Sequence, residues 1–281
     1  MKFFRPLALV LVVISLHACR KKETPKIEAD NDTSTSIENA MADAAYNDVV
    51  SIADEAYTGS VSSYKSICPP VYLSNCASVS FDTTSSPKSF IIDFGATNCL
   101  CNDVNYRRGK IIVTYQGFYR DSGSTHTITF DNYYVDNNKI DGTKTVVNKG
   151  RNNQGNLEYA ITVNGTITWD ASYFGSVCTS TYTSNRVREW SSGESTQIWT
   201  DDVYLISGTQ SGVTHTGATY SAYTVAPLKK ETGYRHITDG TLAFTPQGKF
   251  TRYINYGYPN GTPDNLAQVT INGYNYIIQL R

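Results

Sequence analysis

Three kinds of residue in this chain could do chemistry: thiols, carboxylates beside aromatic rings, and histidines. Cys99-Leu100-Cys101 places two thiols one residue apart. A dithiol redox pair normally has two intervening residues and a helix amino terminus that lowers the thiol pKa, and neither is readable here. Half of a zinc site is a further reading, but no nearby His-x-His or second cysteine pair completes four ligands. Structural bonding fits better. Strand-like segments Ala77–Phe81 and Ser89–Phe94 flank the turn-rich Thr84-Ser85-Ser86-Pro87, so a hairpin brings positions summing to about 171 opposite one another. Cys76 then lies near Cys99, and Cys68 near Cys101 if Pro69-Pro70 forms a bulge. Two nested disulfides are expected, leaving Cys178 as the odd thiol.

Asp201-Asp202 follows Trp199-Thr200. Paired acids beside an aromatic ring suit acid/base work on a sugar. Adjacent strand residues point to opposite faces, however, so these two cannot flank one bond, and a turn before a strand at Val203–Ser207 is expected instead. Asp136-Asn137-Asn138-Lys139-Ile140-Asp141-Gly142 resembles a calcium loop with its acids out of register, and reads as a hairpin turn. His126 falls on the apolar parity of its segment and reads as a core histidine, whereas His215 reads as exposed. No metalloprotease, serine-hydrolase, phosphate-loop or dinucleotide motif is present. The expectation is a protein with no catalytic residue, metal or cofactor. The aromatic residues are the remaining candidates. Trp190, Trp199, Tyr256 and Tyr258 could stack on a ligand, but core packing and cross-strand pairing are the favoured reading, because many of the aromatics sit at the apolar parity.

The amino terminus sets the address. Lys2 and Arg5 precede LALVLVVISL, a ten-residue apolar run too short to span a bilayer and suited to a secretory signal. It ends in Leu16-His17-Ala18-Cys19, which resembles the lipobox of bacterial lipoproteins. That resemblance implies lipidation of Cys19 and removal of residues 1–18. His17 departs from the pattern, where a small or β-branched residue is usual. Residues 19–33 read as a flexible polar tether. Arg20-Lys21-Lys22, in place of an acidic run, favours an outer-membrane anchor facing the periplasm. An exported chain matures in an oxidising space, which agrees with disulfides.

Without Lys2 and Arg5 the chain has 22 basic against 25 acidic residues, a net charge of −3. That balance argues against nucleic acid as a partner. The partners expected are the membrane, through the amino-terminal lipid, and a glycan, lipid or envelope-protein ligand.

These candidate residues must be held by a scaffold, and its pattern is legible. Twenty-one tyrosines, abundant Thr, Ser, Asn and Gly, and only 17% charged residues suit pleated sheets. One helix is predicted at about Ser36 to Tyr57, with Thr35 and Glu38 as a capping box and Ile37, Met41, Ala45, Val49, Ile52 and Ala56 as one apolar stripe. Beyond it the period is two: Ile111/Val113/Tyr115, Leu157/Tyr159/Ile161/Val163 and Tyr274/Tyr276/Ile278/Leu280 alternate with polar residues. Turns are expected at 121–123, 136–138, 148–150, 164–165, 260–261 and 272–273. Asp141-Gly142-Thr143, Asn164-Gly165-Thr166, Ser207-Gly208-Thr209 and Asp239-Gly240-Thr241 read as strand entries rather than a fixed-period repeat. The fold expected is mainly β: a large curved antiparallel sheet or roll of about fourteen strands, with the helix packed on its apolar face. Residues 34–281 would form one domain, with 109–169 and 203–280 as two similar halves.

The segments IIDFGATNCLCND, RRGKIIVTYQGFY, HTITFDNYYVDNNKIDGTKTV, WTDDVYLISGT and DNLAQVTINGYNYIIQL resemble a family of uncharacterised bacterial β-rich lipoproteins. The resemblance covers most of the chain after about Cys68 and implies the fold without implying a chemistry. The function expected is a membrane-anchored envelope lipoprotein with a non-catalytic binding or structural role. Two alternatives accompany it: a carbohydrate-binding or carbohydrate-processing surface protein, and a lipid or lipoprotein acceptor.

Overall fold

The computed structural model describes residues 30–60 and 72–280. Its first element is the helix α1 (Ser34–Ser60). The strands follow in chain order: β1 (Ser78–Asp82), β2 (Lys88–Asp93), β3 (Cys99–Leu100), β4 (Tyr106–Gln116), β5 (Thr125–Val135), β6 (Asn138–Arg151) and β7 (Leu157–Trp169). A one-turn helix α2 (Ala171–Phe174) precedes β8 (Cys178–Ser192), β9 (Val203–Val213), β10 (Thr219–Glu231), β11 (Asp239–Pro246), β12 (Arg252–Asn255), β13 (Leu266–Ile271) and β14 (Tyr274–Gln279). The strands form one open sheet in chain order, with β3 alone off the path and paired to β4. Every pairing is antiparallel.

Local chemistry explains this order. Short turns join neighbouring strands, so each strand pairs with the next. Asp136 and Asn137 (φ 47° and 66°) close β5–β6, and Asn272 and Gly273 (φ 47° and 83°) close β13–β14. Both residues of each turn have positive φ, the requirement of the hairpin turn whose twist matches its strands. Alternation decides which face is inward: Ile111, Val113 and Tyr115 of β4 are buried, as are Leu157, Tyr159, Ile161 and Val163 of β7. The edge strand β14 follows its alternation only in part. Ile278 and Leu280 are buried, while Tyr274 is 58% exposed.

The helix differs from expectation in three ways. It begins at Ser34, whose backbone N–H donates to Asp32 Oδ1 at 3.0 Å, so Asp32 caps it rather than Thr35 with Glu38. The residues before it are docked: Arg252 pairs with Asp30 at 2.8 Å and Lys249 with Asp32 at 2.5 Å. Burial is not confined to one stripe. Met41, Val49, Ile52 and Ala56 are buried, and so are Glu38, Asn39, Asp43, Asp48 and Glu55. A helix buried on most of its circumference is wrapped rather than laid on a face. Its start lies by β11 and β12 through these ion pairs, and the Tyr57 ring near its other end contacts Phe81, Phe90 and Tyr115 of β1, β2 and β4. The helix therefore crosses the sheet from its late strands to its early ones. Two apolar clusters result, one from α1 and the strands up to β9, the other from β9 to the carboxyl terminus, and Ile37 packs against both.

Wrapping requires a bent sheet, and glycine supplies the bends. Gly142 and Gly165 face each other in the middle of β6 and β7. Asn164-Gly165 is thus strand interior, not the expected turn. A Cβ on Gly165 would lie 1.8 Å from the Tyr46 hydroxyl. The bare backbone there admits the Tyr46 ring, whose hydroxyl donates to Asp141 O at 2.9 Å and whose face stacks on Tyr182 at 5.3 Å. Gly208 (φ 141°) lies inside β9, not at its entry. Asn148-Gly150 is a register irregularity in β6 rather than a turn. Glycine at a strand kink is the device that curves a sheet.

The first hairpin pairs Ser78 with Asp93 and Phe81 with Phe90, so opposite positions do sum to 171. Cys76 and Cys99 form a disulfide. Cys101 is a buried free thiol and Cys178 a half-buried one. Cys68, its expected partner, lies outside the described residues.

Two outcomes test this packing. Replacing Cys76 and Cys99 together by Ser lowers unfolding free energy by about 2–4 kcal/mol in urea denaturation. Gly165→Ala destabilises by about 1–3 kcal/mol, and Tyr46→Leu in the same chain recovers part of that loss, giving a non-additive double-mutant cycle.

Candidate functional site

The densest cluster of ionisable groups lies between α1 and the inner face of the sheet. The helix carries five acids, Glu38, Asp43, Asp48, Asp54 and Glu55, and no base. The buried cations are Arg107, Lys144, Arg186, Arg188, Lys230 and Arg252 among the described residues. An isolated charge taken out of water costs several kcal/mol, so partners must be built in.

The best-defined partnership is at Asp43. Its carboxylate accepts from Arg186 Nη2 at 3.0 Å and from the Tyr182 hydroxyl. Gln210 Oε1 accepts from Tyr182 at 3.2 Å and from Arg186, while Gln210 Nε2 donates to Asn39. One helix turn is therefore keyed to β8 and β9. Toward the helix start, Glu38 accepts from the His215 backbone N–H at 2.8 Å and faces His215 Nδ1 at 2.6 Å. His215 also stacks on Phe174 of α2 at 3.9 Å, so it is an anchored residue and not the exposed one expected. Toward the other end, Glu55 accepts the backbone N–H groups of Tyr72 and Leu73 at 2.8 and 2.7 Å and docks the returning chain.

Burial shifts the remaining groups. Lys144 is pushed down to about 7 by desolvation, helped by nearby Arg186 and opposed by Asp43, Asp54 and Asp48. Its ammonium donates to Tyr46 O at 2.8 Å. Asp54 is pushed up to about 6 by desolvation, against the pull of Arg188. Asp48 is raised by burial, against Lys230, Arg235 and Arg107. Arg188 sits over the Tyr204 ring at 4.5 Å and near Tyr159 at 5.4 Å. Its Nε and Nη2 have no hydrogen-bond partner among the described residues. Asp54, Arg188, Asn47 and Lys230 line a cavity of about 20 Å³, and Asn47 and Lys230 reach a second of about 10 Å³. Such spaces hold a water at most, not a substrate.

A lysine near 7 and a carboxyl near 6 resemble an acid/base pair. Asp54 lines the cavity of about 20 Å³, and both groups lie in the field of opposite charges, Arg188 and Lys144 for Asp54, and Asp43, Asp54 and Asp48 for Lys144.

Three of the four stacking candidates are core residues, which agrees with the favoured reading and removes them as a binding face. Trp190, Trp199 and Tyr256 are 4%, 5% and 3% exposed and cannot offer a stacking face. Trp190 Nε1 donates to Asp202 at 3.0 Å, the Arg120 guanidinium lies over its ring, and Trp199 packs edge-on against Tyr72. Tyr258 is half-buried. Asp202 is buried and Asp201 accepts from Thr196 Oγ1 at 2.9 Å, both in the turn before β9, as expected. His126 keeps its core position, stacked on Tyr115, with its pKa pushed down to about 4 by burial. The exposed aromatics are others: Tyr223 and Tyr253 stand 52% and 45% exposed on either side of fully buried Ala243. Alternation carried that signal, since Tyr223 lies between buried Ala222 and outward Val225. Among the described residues no cluster of three His, Cys, Asp or Glu could hold a metal, and no helix is long and apolar enough to cross a membrane.

No family model matches this chain, and no curated protein or solved structure matches it either.

Lys144 gives this seam a pH signature. Its folded pKa lies below its unfolded value of about 10.4. Between about 7 and 10 the unfolded chain holds more protons, so this lysine's contribution to stability rises with pH. Subtracting the unfolding free energy of Lys144→Met from that of the parent therefore gives a difference that increases from pH 7 to pH 10 in parallel urea titrations.

Proposed function

We propose that the chain is an envelope lipoprotein, tethered through lipid on Cys19, whose domain has a non-catalytic binding or structural role. The observation that carries the non-catalytic part is the filled interior. The concave face, where a curved sheet would enclose a substrate, is occupied by α1, and the cavities beside the helix measure about 10 and 20 Å³. Lys144 donates to Tyr46 O, and Asp48 and Asp54 lie in the field of Lys230, Arg107 and Arg188 across that packing. Spaces of this size do not take an acyl chain, so these two cavities lend the lipid-acceptor reading no support. Binding then belongs to the outer face and the loops. A permanent tether agrees with a module that captures or holds, since one acyl chain holds marginally and several hold firmly, at about 0.8 kcal/mol per buried methylene.

The tether is tested by metabolic labelling with an alkynyl fatty acid. The full chain takes up label and sediments with membranes. Cys19→Ala takes up none and moves to the soluble fraction, with an unchanged thermal midpoint because the domain begins beyond that residue. Label on the Cys19→Ala chain, or none on the parent, overturns the proposal.

A further inference from the structure

A space of ligand size lies at one end of the sheet. It is an open cleft of about 370 Å³ between the β1–β2 turn and the end of β4. Small-molecule sites span about 300–1,000 Å³, so it suits about one or two sugar rings. Its walls differ in chemistry. One is aromatic: Phe118 is 64% exposed, above the buried Tyr115. The other is four consecutive hydroxyl residues, Thr83 to Ser86. Among the described residues Lys88 is the only charged one lining it.

Both walls are fixed before any ligand arrives. Asp82 accepts the backbone N–H and hydroxyl of Thr84 at 2.9 and 2.8 Å, and those of Ser85 at 3.1 and 2.5 Å. These four bonds hold the Asp82 pKa well below the usual carboxylate range, so it stays ionised and is spent on its own turn. Asp121 Oδ2 accepts the Phe118 backbone N–H at 2.9 Å, and the Asp121 N–H donates to Phe118 O at 2.9 Å. Little ordering entropy is left to lose on binding.

We propose that this cleft binds a short acidic saccharide. A sugar ring offers an apolar C–H face to Phe118 and hydroxyls to the Thr/Ser wall, and its carboxylate meets the single ammonium of Lys88. A free phosphate fits less well, because no arginine and no helix amino terminus lines the cleft. An acyl chain would set hydrocarbon against this polar wall and offer its hydroxyls no hydrogen bond beyond those Asp82 already accepts. Among the described residues no histidine, cysteine or carboxylate lines the cleft, in keeping with a saccharide that is bound rather than cleaved. The assignment rests on the non-catalytic binding role proposed above and gives it a ligand class.

The test titrates the full-length protein by calorimetry with two sets of tri- and tetrasaccharides. One set is acidic, built from galacturonate, mannuronate or glucuronate; the other is neutral, built from glucose or xylose. At least one acidic member binds. Phe118→Ala weakens it about tenfold with the thermal midpoint unchanged, and Lys88→Gln removes the preference over the neutral set. No binding by the acidic set, or equal binding by parent and Phe118→Ala, overturns the site. Loss of the acidic preference in the parent overturns the assignment to an acidic ligand. Cleavage of a bound saccharide, read by chromatography of the mixture, overturns the non-catalytic reading and leaves the site standing. Fatty-acid labelling reports on the tether separately.

Discussion

Asp43, Arg186 and Tyr182 meet in a place from which water is excluded, and the fold depends on that meeting. A helix with five acids and no base would repel a purely apolar trough, since burying each unpaired carboxylate costs more than its methyl neighbours return. A sheet with inward arginines and lysines would be equally unstable if empty. Helix and inner face therefore neutralise each other, and neither is a complete structure alone. The pairing also fixes position. Sliding α1 by one turn moves every side chain about 5.4 Å and breaks the contacts at Asp43, Glu38 and Glu55 together.

Charge neutralisation needs close approach, and the glycines of the bent strands permit it. Gly142 lets β6 approach the β7 backbone closely and Gly165 makes room for Tyr46, whose carbonyl accepts from Lys144 at 2.8 Å. Curvature, aromatic stacking and ion pairing are thus one arrangement seen from three sides. Its consequence for function is spatial. The inner face is consumed by the helix, which leaves the outer surface and loops pinned by aspartates such as Asp82 and Asp121 facing solvent.

Much of the scaffold was legible. Alternation at period two reports burial wherever a strand has one wet face, which is why the inward sides of β4 and β7 could be named in advance. Turn residues with positive φ reported the hairpins at Asp136-Asn137 and Asn272-Gly273. The same residue types misled inside strands. Asn164-Gly165 has the composition of a turn, but its glycine answers to a tyrosine 119 positions away. Composition carries no sign of that distance. Trp190, Trp199 and Tyr256 failed as surface candidates for a related reason. An aromatic ring serves a core and a binding face equally well, and only the packing around it chooses.

Composition, periodicity and the amino-terminal pattern by themselves determined a mainly β chain, one helix, sequential hairpins and the Cys76–Cys99 juxtaposition. These are local properties, set by which side chains alternate and where the backbone turns. Tertiary structure alone decided that the helix is enclosed rather than laid on a face, that its acids are keyed to distant cations, and that the ligand-sized space lies outside the sheet at Phe118. Those outcomes depend on charges and rings brought together from more than a hundred residues apart, such as Asp43 and Arg186 across 143 positions. The cost of burying them unpaired is felt only once the sheet has closed around the helix.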